Sequence, residues 1–417
     1  MPQPDRAERI VDALWNLFVG DALAMPVHWY YNRDTLRAEF DGGVTGFEDA
    51  RHPHPEAFML GMGYHPDVES ADRLGRPYDI LHDNVGFYRT SYGAFAFDLS
   101  EKEGEHGNAT APAPERYHYH HGLKAGEMTV NAQIVRVLIQ SVVEAGRYDP
   151  VAFLEAMVAH LTTPGRNRDP YTEVYLRRWF EAYAAGAPIT AAAAHQRDIW
   201  SIGSHGGMPR PLLLGLMAAD AYQGLGHALE HQVLTHRSEN VAASIATLLP
   251  AMHAMLDGEA PAPLLRDLSR RIRMPRIRGA ELFARYRDAS GPNNIPDDDM
   301  WRLHTELALA PMDLDRLLGL GDEAVIRKTI STACYTEHGL PLMLYLIAAH
   351  GLEAEAVLLA NANAGGDSVN RALPLGLILG AAGASVPDRL REGLADHAAL
   401  SEEIAAFAGL AASASVF

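Results

Sequence analysis

Apolar residues recur at helical spacing almost from the start of the chain. Ile10, Val11, Leu14, Leu17 and Phe18 share one face at a period of 3.6, which predicts a helix over 5–24. Gly20-Asp21 then interrupts an otherwise apolar run. Residues 41–121 have another texture: Gly, Pro, His, Asp and Tyr dominate, as in His52-Pro53-His54-Pro55, without a long helical period. So long a stretch without regular helices is unusual inside one domain. It reads as a partly β subdomain, a lid over a pocket or a mobile segment, and aromatics such as Phe47, Tyr64 and Tyr88 favour an ordered cover.

From residue 131 onward the pattern is helix after helix. Ile134, Val135, Leu138, Ile139, Val142 and Val143 form one broad stripe. Gly146 stops that helix, and Asp149-Pro150 starts the next as N-cap and first helical residue. Further helical periods run over 151–161, 171–184, 189–200, 211–222, 239–257, 262–272, 276–288, 322–333, 338–350, 352–361, 371–383 and 399–411. Strand-like alternation is scarce. The pattern predicts an all-α globule, one domain over 1–417, with residues 35–121 as an irregular or partly β insertion or lid. Asp288–Asp299 reads as a surface loop rather than a linker or a metal site.

Composition narrows the classes. Of 417 residues, 48% are hydrophobic and 21% charged, which excludes a disordered, collagen-like or coiled-coil chain. The net charge of −18 argues against nucleic acid or an anionic membrane as the main partner, though it leaves room for a local phosphate pocket. A lone Cys334 rules out a disulfide within the chain and a cysteine zinc site, and it reads as a buried small hydrophobe. No run of 18 apolar residues exists, so no transmembrane helix is expected. The first residues lack a basic start before an apolar stretch, so no signal peptide is expected and the default address is the cytoplasm.

Four constellations could carry chemistry. Gly365-Gly366-Asp367-Ser368-Val369-Asn370 lies between two apolar helices, where short polar residues either cap the second helix or receive an anion. Gly126-Glu127-Met128-Thr129-Val130-Asn131 opens another helix with the same two readings. Gly203-Ser204-His205-Gly206-Gly207-Met208 is a glycine-rich turn into a helix, either a plain entry loop or a phosphate-binding one. Tyr117-His118-Tyr119-His120-His121 is either a transition-metal site, with His118 and His120 on one strand face, or a polar loop with aromatic packing. No P-loop, dinucleotide-binding glycine fingerprint or Gly-x-Ser-x-Gly element is present.

In this order the pieces resemble the ADP-ribosylglycohydrolase family, which includes the dinitrogenase-reductase-activating glycohydrolases and crystallin J1. Gly20-Asp21-Ala22-Leu23-Ala24-Met25-Pro26 is similar to the family's Gly-Asp-Ala-Leu-Gly-x-Pro. Gly126-Glu127-Met128-Thr129-Val130-Asn131-Ala132-Gln133 stands where the family has Gly-Glu-x-Thr-Asp-Asp-Thr-Gln. Gly207-Met208-Pro209-Arg210-Pro211, Thr235-His236 and Asn363-Ala364-Gly365-Gly366-Asp367-Ser368-Val369-Asn370 resemble later family elements. The likeness covers most of 7–34 and 122–395.

The resemblance implies an orthogonal multi-helix bundle that hydrolyses an N- or O-glycosidic bond of an ADP-ribosyl, ribosyl or nucleotide-sugar-type substrate. It also implies two Mg²⁺ or Mn²⁺ ions, held in the family by the Thr-Asp-Asp of one motif and the Asp, Asp and Thr of the other. This chain departs there: Val130-Asn131 replaces one acidic pair, and Asp367 alone remains of four carboxylates. At most one weakly held ion is then expected, at Thr129 and Asp367, with magnesium weakened or dispensable. His28 stands where many relatives carry an acid. The expected catalytic residues are Asp367, Asn131 and, as proton donor, Glu127 or a lid histidine. Asp21, His28, Thr129, Gly206, Gly207, Met208, Gly365, Gly366, Ser368 and Asn370 are expected to bind substrate, a small molecule or an ADP-ribosylated group. The alternative is an inactive protein that binds ADP-ribose or a nucleotide without turnover.

Overall fold

The computed structural model describes residues 5–56, 64–82, 117–193, 203–274, 310–412 and 416–417. Its first helices are Arg6–Ala24 (α1), Arg33–Glu39 (α2), Val68–Leu74 (α3), Val130–Ala145 (α4), Pro150–Thr162 (α5) and Val174–Ala184 (α6). Pro209–Met217 (α7), Ala221–Gln232 (α8), Glu239–Leu256 (α9) and Pro261–Arg271 (α10) follow. A two-residue antiparallel ladder pairs Arg273–Met274 (β1) with Ala310–Pro311 (β2). The chain continues through Leu314–Leu320 (α11), Asp322–Val325 (α12), Thr336–His350 (α13), Ala354–Ala364 (α14), Ser368–Ala381 (α15), Asp388–Glu392 (α16) and His397–Ala412 (α17). The fold is all-α, as the periodicity predicts.

Its centre is the pair α1 and α15. Helix α1 opens with a capping box, in which the Glu8 amide donates to Asp5 Oδ1 (2.8 Å) and the Asp5 amide to Glu8 Oε2 (3.0 Å). From Ala13 to Ala24 every residue of α1 is buried. The segment Arg6–Val27 is long and apolar enough to cross a membrane, but 89% of that window is covered by the protein itself. Helix α15 is likewise buried along its length. The two pack backbone to backbone through Gly376 and Gly380, one turn apart. A Cβ on Gly380 would lie 2.1 Å from the Ala13 Cα, and one on Gly376 2.4 Å from the Leu17 nitrogen. Gly380 against Ala13 and Gly20 against Ala372 make the pair antiparallel. The end of α1, carrying Asp21, therefore meets the start of α15, carrying Asp367.

The structure departs from the predicted boundaries for local reasons. The helix expected over 211–222 ends at Met217, and Asp220 then caps a new helix by accepting the amides of Tyr222 and Gln223, both at 2.9 Å. The helix expected over 322–333 stops at Val325, because Arg327 takes a left-handed conformation (φ 69°) and Ile326 bridges to Ile330. Residues 117–121 form turns rather than a strand, and consecutive burial of His118, Tyr119 and His120 is incompatible with alternation. The expected helix 276–288, the loop 288–299 and much of 189–200 lie outside the described residues, as do 57–63 and 83–116 of the insertion. Among its described residues the insertion holds α2, α3 and turns, with no strand.

Candidate functional site

Asp367 sits at the N-terminal end of α15 with no exposed surface. The turn leading to it threads between two other segments. Gly365 and Gly366 have φ of 67° and 63°, and a Cβ on them would lie 2.1 Å from the Tyr30 carbonyl oxygen and 2.2 Å from that of Thr332. Only glycine combines that left-handed backbone with such close approach. The Gly366 amide donates to the Tyr30 carbonyl (2.7 Å) and the Asp367 amide to that of Thr332 (2.9 Å). These glycines thus serve the chain's own backbone. Arg371 ties the turn from below, donating to Asn361 Oδ1 (2.7 Å) and to the Gly365 carbonyl (2.9 Å).

Two sets of groups converge on the Asp367 carboxylate. The first is a buried row of alternating carboxylate and imidazole. Asp367 Oδ1 lies 2.9 Å from His28 Nε2, His28 Nδ1 lies 2.6 Å from His120 Nε2, and His120 Nδ1 lies 2.8 Å from Asp169 Oδ1. All four side chains are buried. Asp169 also accepts the Val130 amide (2.8 Å) and the Tyr171 amide (3.0 Å), so it holds the first turn of α4 to the row. Burial lowers His28 to about 4, against the pull of Asp367. Burial alone would raise Asp367; the contacts of His205 and His28 reverse that and hold it below the usual carboxylate range. His205 Nδ1 stands 3.4 Å from Asp367 Oδ2 without hydrogen-bond alignment, and both atoms are buried with no hydrogen-bond partner.

The second set is a web of amides around a second carboxylate, Glu173. Asn370 Nδ2 donates to Asp367 Oδ1 (2.9 Å) and also to Glu173 Oε1. Asn131 Nδ2 donates to Glu173 Oε1 (2.9 Å) and to Asn370 Oδ1 (2.6 Å). Tyr175 donates to Asn131 Oδ1 (2.9 Å), and Arg210 donates to the Tyr175 hydroxyl (3.2 Å) and to Thr235 Oγ1 (2.8 Å). Burial and then the nearby charge of Asp367 raise Glu173 to about 8, against the amide hydrogen bonds and Arg210. Two carboxylates sharing one amide are thereby pushed in opposite directions.

The remaining expected residues are divided. Asp21 accepts the Thr129 amide and hydroxyl, both at 2.7 Å, and burial raises it to about 7. Thr129 is thus committed to Asp21 and reaches Asp367 only through neighbouring groups. The two helix starts do meet, but through Asn131 and Asn370. Gly206 lies against Glu173, where a Cβ would be 3.0 Å from Oε2. The amides of Gly207 and Met208 donate to the carbonyls of Ser204 (3.1 Å) and His205 (3.0 Å), so they are spent inside the turn rather than turned toward a phosphate. Ser368 is buried with its hydroxyl on the Ala24 carbonyl (3.4 Å). Glu127 stands apart: its carboxylate pairs with Arg168 and accepts the Lys124 amide (2.7 Å), so the loop itself uses up both oxygens.

Sequence reasoning missed Glu173, Asp169 and Tyr175, and took His205 only as part of a glycine-rich turn. Glu173 falls inside the period predicted for a helix over 171–184, but that helix begins at Val174 and Glu173 is its N-cap. His120 is singled out by the histidine cluster, and its partners turn out to be His28 and Asp169. Cys334 is only partly buried, with its carbonyl accepting the His205 amide (2.9 Å).

The sequence model of the ADP-ribosylglycohydrolases matches residues 2–415. The chain belongs to the ADP-ribosylglycohydrolase family. A solved structure described as an ADP-ribosylglycohydrolase-related protein complex is similar at 15% identity with a TM-score of 0.53, covering 98% of this chain and 99% of its own. That likeness is one of fold. A search of the curated proteins finds no match. Among the described residues, no group of three His, Cys, Asp or Glu side chains is placed to hold a metal ion.

Proposed function

We propose that this ADP-ribosylglycohydrolase hydrolyses an N- or O-glycosidic bond of an ADP-ribosyl, ribosyl or nucleotide-sugar-type substrate with two carboxylates, Asp367 and Glu173, and without paired magnesium ions. The observation that carries the reading is the single Asn370 amide nitrogen donating to both carboxylates. Oxygens sharing one donor lie within two hydrogen-bond lengths, about 6 Å or less. Of the two glycosidase spacings, that bound admits the retaining one of ~5–5.5 Å and not the inverting one of ~6.5–9.5 Å. Glu173, protonated at neutral pH, would give its proton to the leaving group. Asp367, ionised, would stabilise the oxocarbenium-like centre or take a proton from water. Glu173 replaces Glu127 as the acid in this scheme, because Glu127 is held away by Arg168.

The metal-free half of the reading is supported by the direction of the donors. Magnesium requires oxygen ligands. Here the Thr129 hydroxyl points its hydrogen at Asp21, Val130 offers no oxygen, and the amides of Asn131 and Asn370 turn their N–H groups toward the carboxylates. A pair of hard cations would meet N–H groups, so these residues do not fit it.

The test is release of ADP-ribose from N- and O-linked ADP-ribosyl substrates, followed by chromatography in chelator and after Mg²⁺ addition. Expected is release that chelator leaves unchanged and Asp367→Asn abolishes. Strong dependence on Mg²⁺, or full activity of Asp367→Asn, refutes the reading.

A further inference from the structure

Arg210 is buried, yet its two hydrogen-bonded nitrogens meet only hydroxyl oxygens, on Tyr175 and Thr235. A guanidinium has five N–H groups and no acceptor. The Tyr175 oxygen must therefore accept from Arg210, and its own hydrogen is left for Asn131 Oδ1 at 2.9 Å. With its carbonyl facing Tyr175, Asn131 has only its NH₂ for the other side, where Glu173 Oε1 and Asn370 Oδ1 lie at 2.9 and 2.6 Å. Asn370 is then constrained in turn: its carbonyl faces Asn131 and its NH₂ faces the carboxylates. Reversing Asn370 would set its carbonyl oxygen against the Asp367 carboxylate, and reversing Asn131 would set two amide carbonyls against each other, unmatched pairs that are costly in a dry interior. The direction of every bond in the web thus runs from one cation.

The endpoint of that direction is specific. Both N–H groups that reach Glu173 fall on Oε1, and the amide reaching Asp367 falls on Oδ1. Asp367 Oδ2 faces His205 Nδ1 at 3.4 Å without hydrogen-bond alignment. Glu173 Oε2 packs against Gly206, where a Cβ would stand 3.0 Å away. We propose that Arg210 and Tyr175 are positioning residues for the carboxylate pair: through the two asparagines they anchor Glu173 by Oε1 and Asp367 by Oδ1. The inference rests on the two-carboxylate reading above and adds what aims the two groups.

The test compares Arg210→Met, Arg210→Lys and Tyr175→Phe in the full chain, with Asp367→Asn and Glu173→Gln as controls. Misaimed groups cost roughly 100-fold in rate. Arg210→Met and Tyr175→Phe are expected to lower kcat by about that factor with KM within twofold. Arg210→Lys, which keeps a donor-only cation, is expected to recover part of it. Full kcat in a folded Tyr175→Phe, or Arg210→Met equal to Arg210→Lys, overturns the assignment. If Arg210→Met loses its cooperative melt, Tyr175→Phe decides, since it removes one oxygen and keeps the ring. A melt lost in both shows the chain holding the fold rather than aiming the amides, and also overturns it. If the two controls stay active, the carboxylate reading itself fails. If the controls are dead while Tyr175→Phe is fully active, only the present inference falls.

Discussion

Replacing Glu173 by glutamine should make the protein more stable and less active, and the stability gain should depend on pH in a defined way. Glutamine keeps a carbonyl oxygen for the Asn131 and Asn370 amides and places NH₂ where the acid's hydroxyl would be, so it imitates the protonated side chain. The carboxyl is raised from its ordinary 4.5 to about 8 by burial and by Asp367. The folded state therefore binds this proton more tightly than the unfolded state. The stability it contributes is fully present below pH 4.5 and is lost as pH rises through about 8. Each pH unit in that window is worth ~1.4 kcal/mol. At pH 7 the variant should exceed the parent by about 3 kcal/mol, and the gap should close toward pH 4.5 and level off above pH 8. Urea denaturation of both proteins at half-unit steps from pH 5 to 9 measures it. Taking the difference cancels other titrating groups, Asp21 included. A gap that does not change with pH in that range would refute the assignment of Glu173 as a buried, protonated acid. In the same variant, turnover should fall by about 10²–10⁴, the usual contribution of a general acid, and the parent's activity should decline above pH 8 as the acid ionises.

Other outcomes follow from the packing and the web. Gly380→Val should cost about 3 kcal/mol, the upper end for overpacking, because the added carbon meets the α1 backbone and neither helix can yield; a thermal melt no lower than the parent's would contradict it. Asp21→Ala should cost ~1–3 kcal/mol for each of the two donors it strands on Thr129, with Asp21→Asn intermediate, as measured by urea midpoints.

Much of the scaffold was legible in the chain. Helical periods placed α1, α4, α5, α9 and α10 within a residue or two; the first four bury broad stripes and stop just before a Gly, Pro or Asp. Helix α8 was not seen, since its restart depends on one capping aspartate, Asp220, after an apolar run that reads as continuous. The motif residues Asp21, Thr129, Asn131, Asp367 and Asn370 do converge, at the meeting of three helix ends. Their partners were hidden. Glu173 looks like any polar residue at a helix start and Tyr175 like an ordinary member of an apolar stretch, while Arg210 stood in a quoted motif without a role. His120 stood out only as one of a crowd.

Periodicity and local capping thus determined which residues form helices, and the spacing of short polar residues at helix starts determined where an unusual site would be built. Which groups face one another was decided only by the three-dimensional packing. Asp169, Glu173 and His120 reach the site from segments far along the chain from Asp367, and a sequence carries no record of such distances. The direction of each hydrogen bond exists only once the interior is dry enough for one buried cation to leave its neighbours no choice.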